Sequence, residues 1–233
     1  MTNNTYTLLE RYMLSCMADS AHDKDHIYRV LYQALEIAKE EENVDYDVLI
    51  AACLLHDVGR KEQLEDPSIC HAMAGGEKAW SFLLAHGFDQ DFAEKVRHCI
   101  HSHRFRKNMQ PQSIEAKILF DADKLDVTGA VGIARTLLYQ GTLSCPLYIL
   151  LPDGTVSDGA QDTEPSFFQE YKYKLEKLYD RFYTKKGAQL AQARRAAAEA
   201  YYESLYREIN AGYHQGPKSL AMLLSDHELE DMI

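Results

Sequence analysis

Apolar residues recur at three- and four-residue spacing along most of this chain, the signature of helices with one buried face. Leu8, Leu9, Tyr12, Met13 and Cys16 mark a helix over 6–19. Ile27, Val30, Leu31, Ala34, Leu35, Ile37 and Ala38 mark a second over 24–42, with Ser20 or Asp23 placed to cap it. Val48-Leu49-Ile50-Ala51-Ala52-Cys53 is apolar on all sides and predicts a buried helix over 45–57. A polar, proline-containing connection over 63–68 follows. Helices are then expected over 71–86, with an unusual Gly75-Gly76 pair, and over 89–102. Ser113 caps the next, which carries Ile114, Ala116, Ile118, Leu119 and Phe120 and runs on through Gly129 to Ala134. The pattern breaks over 141–165, where Pro152-Asp153-Gly154 signals a turn. Two long helices, 166–184 and 187–210, complete the body. Strand signals are nearly absent, so the chain reads as an all-α single domain of about nine helices. A short irregular or hairpin excursion interrupts it near 141–165.

Composition narrows the partners. The chain has 233 residues, 46% hydrophobic and 26% charged, ordinary values for a globular domain that buries a core. Its net charge of −11 argues against a nucleic-acid polymer or an anionic membrane surface, since both require a basic footprint. No apolar run reaches the length of a membrane span. The five cysteines form no C-x-x-C pair, which suits a reducing cytoplasm. The start of the chain lacks the basic and apolar regions of a signal peptide, so a cytoplasmic location is expected.

The candidate chemistry begins at His56-Asp57, where the apolar helix 45–57 ends. Gly59 reads as the stop of that helix, in the left-handed region that glycine commonly supplies. Buried polar groups without partners are costly. The pair therefore calls for either a metal ion or a hydrogen-bonded set of core groups. His26 and Asp123 offer further ligands from two other helices. Two imidazoles and two carboxylates suit an octahedral site open to water. That mix favours Mn²⁺, Mg²⁺, Fe²⁺ or Co²⁺ over a closed zinc site.

Four motifs stand in order along the chain: His22-Asp23-x-x-His26-x-x-Arg29-Val30; Leu55-His56-Asp57-Val58-Gly59-Arg60; Ile100-x-x-His103-x-Phe105; and Asp121-Ala122-Asp123-Lys124-Leu125-Asp126 with Gly129-Ala130-x-Gly132-Ile133-Ala134-Arg135. Together, over about 20–140, they resemble the small bacterial branch of the HD-domain metal-dependent phosphohydrolases. With this resemblance the body over 1–212 is read as an HD-type bundle, and the polar stretch 213–233 as a peripheral tail. The resemblance implies His26, His56, Asp57 and Asp123 as ligands of one divalent metal ion. Asp123 is preferred to Asp121 or Asp126 because the family's ligand directly precedes a basic residue, here Lys124. Asp57 and Lys124 are then the catalytic pair, one orienting a metal-activated water and the other neutralising the phosphoryl group. His71, His103, Arg60 and Arg104 are the candidates for substrate contact, with Arg106 in the same basic loop. His22 would steady His26, Arg29 would pair with a helix carboxylate, and Asp121 and Asp126 would be caps or supports. His98 and His101 are expected away from the pocket.

The expected activity is hydrolysis of a small phosphorylated substrate, a nucleotide first, as a pyrophosphohydrolase or phosphatase. The alternatives are a phosphodiesterase of the same fold or a silent nucleotide- or metal-binding module. The signature of the cyclic-dinucleotide branch and a synthetase domain are both missing. The tyrosine-rich helices (Tyr171, Tyr173, Tyr179, Tyr183, Tyr201, Tyr202) read as packing or as a homodimer interface.

Overall fold

The computed structural model describes residues 1–17, 24–104 and 109–230. Ser20, His22, Asp23, Phe105, Arg106 and Lys107, to which the motifs assigned caps or contacts, lie outside the described residues. The described chain forms two compact units, one of residues 1–126 with 181–191, the other beginning at 127–180 and continuing from 192. The all-helical expectation holds. No described helix is long and apolar enough to cross a membrane.

The first unit holds seven helices and the start of an eighth: α1 (Asn3–Cys16), α2 (Lys24–Ala38), α3 (Tyr46–Leu55), α4 (Arg60–Glu65), α5 (His71–Ala85), α6 (Gln90–Ser102) and α7 (Ile114–Leu125). Helix α3 is its axis. Asp45 caps it through the amides of Asp47 and Val48, and all its residues from Val48 onward are buried except Ile50. Helices α1, α2, α6 and α7 pack around it, and α5 lies on α6. Asp89 and Ser113 cap α6 and α7 in the same way.

Gly59 departs from expectation. Its φ is −96°, so it is not a left-handed stop. Helix α3 ends at Leu55, a tight turn carries His56 and Asp57, and Gly59 opens the six-residue α4, which was expected to be loop. Glycine is needed there for space: a Cβ would lie 2.3 Å from the His71 carbonyl oxygen and 2.4 Å from the Gly75 nitrogen. The Gly75-Gly76 pair admits two neighbours, the Gly59 backbone and the His101 imidazole.

The helix expected to run from 114 past 129 is two helices. Asp126 closes α7, Thr128 precedes α8 (Gly129–Thr142), and Gly129 sits at φ +62°. The apolar pattern continues across the break, which is why periodicity missed it. The expected helix 166–184 is also broken. It consists of α9 (Phe167–Tyr173), one 3₁₀ turn (Leu175–Lys177) and an irregular segment. Asp121 on α7 holds that segment, accepting from the amides of Tyr183 and Thr184 and from the Thr184 hydroxyl at 2.6–3.1 Å. Asp121 thereby supports the start of α10 (Lys185–Glu230), which continues well beyond the expected end at 210.

In the second unit, Leu150 and Val156 pair across the Asp153-Gly154 turn as the expected short hairpin. Its core is aromatic. Tyr171 and Tyr202 stack at 4.1 Å, Phe168 meets Tyr202 edge-on, and the Tyr202 hydroxyl donates to the Asp158 carbonyl. Tyr171, Tyr179 and Tyr202 are thus packing residues, while Tyr173, Tyr183 and Tyr201 are exposed. Every residue from 211 to 225 is exposed.

Candidate metal centre

The candidate ligands converge in the first unit. The end of α3 delivers His56 and Asp57, α2 delivers His26, and α7 delivers Asp123. His26 Nε2 stands 3.3 Å from Asp123 Oδ1, 3.4 Å from His56 Nε2 and 3.6 Å from Asp57 Oδ2. His26, His56 and Asp123 can offer one ligand atom each within 4.8 Å of one another. A second group of the same kind, Asp57, His71 and His103, adjoins it. His71 opens α5 and His103 closes α6, and their Nε2 atoms are 3.3 Å apart. Asp57 lies between the groups. Its Oδ2 faces His26 and His56 at 3.6 and 3.7 Å, while its Oδ1 faces His71 and His103 at 3.5 and 3.8 Å.

Each imidazole is aimed by its other nitrogen. His56 Nδ1 donates to the Cys53 carbonyl at 2.8 Å and His103 Nδ1 to the Ile100 carbonyl at 2.6 Å. His26 Nδ1 pairs with Asp126 Oδ2 at 2.7 Å, and Arg29 donates to the same carboxylate at 2.8 and 3.1 Å. Asp126 thus orients His26, and Arg29 pairs with a helix carboxylate as expected. The fourth, His71, meets Gln63 Oε1 on α4 at 2.6 Å. Gln63 was not foreseen, because a lone glutamine in a polar stretch carries no sequence signal.

The donor set fits a divalent cation. Asp57 is 1% exposed, yet neither of its carboxylate oxygens accepts a hydrogen bond among the described residues. Arg60 Nε stands 3.0 Å from Oδ1, while Oδ2 faces His26 and His56 without accepting a hydrogen bond, and a buried oxygen left in that condition is costly unless a cation faces it. The Asp123 side chain is 26% exposed, so the group opens to solvent on that side.

Comparison with known proteins agrees with this geometry. The HD domain family model matches residues 24–128. The Bacillus subtilis protein YpgQ is 29% identical over 194 residues, covering 82% of this chain and 85% of its own. The crystal structure of YpgQ in complex with ADP has a TM-score of 0.68 at 27% identity, over 88% of this chain and 95% of that one. An HD-superfamily hydrolase from Bacillus thuringiensis has a TM-score of 0.67 at 29% identity, over 89% of this chain and 98% of that one. Residues 24–128 of the chain are an HD domain. The chain is a hydrolase of the HD superfamily, with the His/Asp groups described above as its metal-type site.

The electrostatics of this HD centre keep its carboxylates ionised and raise one imidazole, His26, that must lose a proton to ligate. Burial pulls the His26 pKa down, but the Asp123 and Asp126 carboxylates outweigh it and raise the value to about 9. Burial lowers His56. Burial also takes His71 to about 2 and His103 to about 4, so both are neutral imidazoles. Asp57 is held well below the usual carboxylate range. Burial opposes this, but the Arg60 guanidinium, then His56, His26 and His71, prevail. Asp123 is lowered too, against burial, by its pairing with His26.

The cations are placed unevenly. Arg60 Nε lies 3.0 Å from Asp57 Oδ1. Arg104 donates to Cys70 Sγ at 3.8 Å, at the start of the helix that His71 opens. Lys124 follows Asp123 but is turned into the helix packing. Its ammonium donates to the Arg181 carbonyl at 2.9 Å and stands 4.0 Å over the Phe120 ring. Burial lowers its pKa to about 8. His98 and His86 are exposed, and His101 packs on Gly76, outside both groups.

Proposed function

We propose that this protein is a metal-dependent phosphohydrolase acting on a small phosphorylated molecule, a nucleotide first, as a pyrophosphohydrolase or phosphatase. The observation that carries the reading is Asp57, a buried carboxylate whose two oxygens face two histidine groups without hydrogen bonds. The ADP complex of the relative YpgQ supports a nucleotide as ligand. In this reading His26, His56, Asp57 and Asp123 hold one divalent ion. Such an ion supplies an acidified water and a Lewis acid for a phosphoryl oxygen.

The chain's own groups do the rest. Asp57 orients the attacking water from a position in which it stays ionised. Neutral His71, on the far side of Asp57, contacts a phosphoryl oxygen, and neutral His103 beside it accepts a hydrogen bond from a substrate hydroxyl or a water. Arg60 and Arg104 lend positive potential on the α4–α5 side. Lys124 serves the leaving phosphate once its ammonium exchanges the Arg181 carbonyl for the substrate. A second reading places another ion in the Asp57–His71–His103 group, and its favouring observation is that group's ligand spacing. Metal content per chain separates the two.

The test is a screen of nucleoside mono-, di- and triphosphates, cyclic nucleotides and p-nitrophenyl phosphate with Mn²⁺, Mg²⁺ or Co²⁺, with Asp57→Ala alongside. Metal-dependent cleavage of a nucleotide is expected, reduced at least about a hundredfold in Asp57→Ala, the scale of losing one preorganised electrostatic group. Full activity in Asp57→Ala would sink the mechanism. Cleavage of cyclic nucleotides alone would move the assignment to a phosphodiesterase, and metal binding without turnover to a sensing module.

A further inference from the structure

Among the described residues, four imidazoles meet at the centre, and what faces each Nδ1 differs in kind. His56 and His103 face backbone carbonyls, and His26 faces a carboxylate. A carbonyl or a carboxylate can only accept. These three must keep a proton on Nδ1. His71 faces the Gln63 amide, which offers an acceptor oxygen at one end and a donor NH₂ at the other. With the oxygen toward His71, Nδ1 carries the proton and Nε2 presents a lone pair. With the amide turned over, NH₂ donates to Nδ1, and the proton moves to Nε2.

The surroundings of His71 Nε2 receive either form. His103 Nε2 lies 3.3 Å away and, because its Nδ1 is committed to Ile100, it can only accept. Asp57 Oδ1 lies 3.5 Å away and is an acceptor as well. A lone pair on His71 Nε2 therefore faces two acceptors and suits a cation or a donor between them. A proton on Nε2 suits those acceptors directly, or an anionic oxygen that enters beside them. Gln63 is half-buried on α4, a helix with no buried residue, so its amide has room to turn.

We propose that Gln63 is a positioning residue that makes His71 the one histidine of this centre able to switch tautomer, so that its Nε2 donates a hydrogen bond to a phosphoryl oxygen of the substrate. The proposal rests on the phosphohydrolase reading above and on His71 as a substrate contact. In the switch the Nδ1–H bond breaks and an Nε2–H bond forms: one proton leaves Nδ1 to solvent and one is taken up at Nε2, with no net change in charge, while the amide rotates.

Long-range ¹H–¹⁵N spectra of the uniformly labelled full chain with Mg²⁺ test it, because imidazole nitrogen shifts distinguish the tautomers. The His71 signals are assigned by their loss in His71→Gln. In the wild type without substrate, His71 nitrogens are expected between the two limiting shifts, and His56 and His103 at the Nδ1–H limit. Gln63→Glu, which can only accept, should move His71 to the Nδ1–H limit. Turnover supplies the second readout. Gln63→Glu keeps a partner for Nδ1 but locks the tautomer, whereas Gln63→Met removes the partner and leaves the tautomer free. The switch predicts that Gln63→Glu loses kcat more than Gln63→Met does, by about tenfold, with KM changed less; losses of this order are typical of groups that orient a site. Wild-type His71 already at the Nδ1–H limit, or Gln63→Met the slower variant, would overturn the proposal. A wild type without metal-dependent cleavage of any phosphate ester would instead count against the function, and the spectra would still decide the tautomer question.

Discussion

At the scale of the residue, Lys124 combines a functional position with an energetic cost. It follows Asp123 in the chain, but its ammonium is buried over Phe120 and its pKa falls from 10.5 to about 8. The unfolded chain therefore binds this proton more tightly than the folded one between about pH 8 and 10.5. Stability rises with pH across that window, and the full penalty applies below about pH 8. A shift of this size corresponds to about 3 kcal/mol, offset by about 1 kcal/mol from the hydrogen bond to Arg181. Lys124→Met is thus expected to stabilise the protein by about 1–2 kcal/mol at pH 7. The gain should fade as the pH passes through 8 toward 10.5, in urea titrations run at each pH. If Lys124 is catalytic, the same variant loses turnover, which is how a residue kept for chemistry at a cost in stability behaves. A variant less stable than wild type at pH 7 would show that its contacts outweigh its burial.

At the scale of the element, the decisive feature is the close approach of α4 to α5. Gly59 lies against the backbone of His71 and Gly75, so the loop carrying His56-Asp57 and the helix opened by His71 touch main chain to main chain. A Cβ at Gly59 would meet atoms that cannot move aside. Gly59→Ala should cost about 3 kcal/mol, the upper end for overpacking. That corresponds to a fall in Tm of roughly 6–12 °C for a chain of this size. Gly141→Ala, on α8 with nothing within 4 Å, is the matched control and should be neutral or slightly stabilising. Equal melting of the two variants would refute the close-packing account.

The same scale shows what the sequence could and could not convey. The stripes of α2, α3, α5 and α6 were legible because each buries one face, or in α3 nearly all of it, against the core. Helix α4 was not, since none of its residues is buried and it has no stripe. The break between α7 and α8 hides under a continuous apolar pattern. The unwinding before α10 depends on Asp121, some sixty residues away in the chain. In the site, His26, His56, Asp57 and Asp123 were nameable from motif order. The bridging position of Asp57 and the Gln63–His71 contact come from three-dimensional packing and leave no local mark.

At the scale of the whole molecule, every candidate ligand belongs to one unit, and they come from helices far apart in the chain: α2, the end of α3, the start of α5, the end of α6, and α7. A divalent ion held by His26, His56, Asp57 and Asp123 would tie α2, the end of α3 and α7 together in the folded state, while the unfolded chain offers no comparable site. Binding to the folded state alone stabilises by about 2.7 kcal/mol when the free ion is at a hundred times its dissociation constant. For a chain of this length that raises Tm by roughly 5–10 °C. Mn²⁺ or Mg²⁺ should therefore raise the melting temperature in a concentration-dependent way, and a chelator should reverse it. Hydrogen exchange locates the effect. Added protection is expected in α2, α3 and α7, the helices that carry those ligands, and not in the exposed stretch 211–225 of α10. Asp123→Asn weakens a ligand without removing bulk, so it should abolish most of the metal-dependent rise, read against the variant's own metal-free melting temperature. A metal-dependent rise that survives Asp123→Asn unchanged, or protection spread evenly along the chain, would place the ion outside the group built by His26, His56 and Asp123.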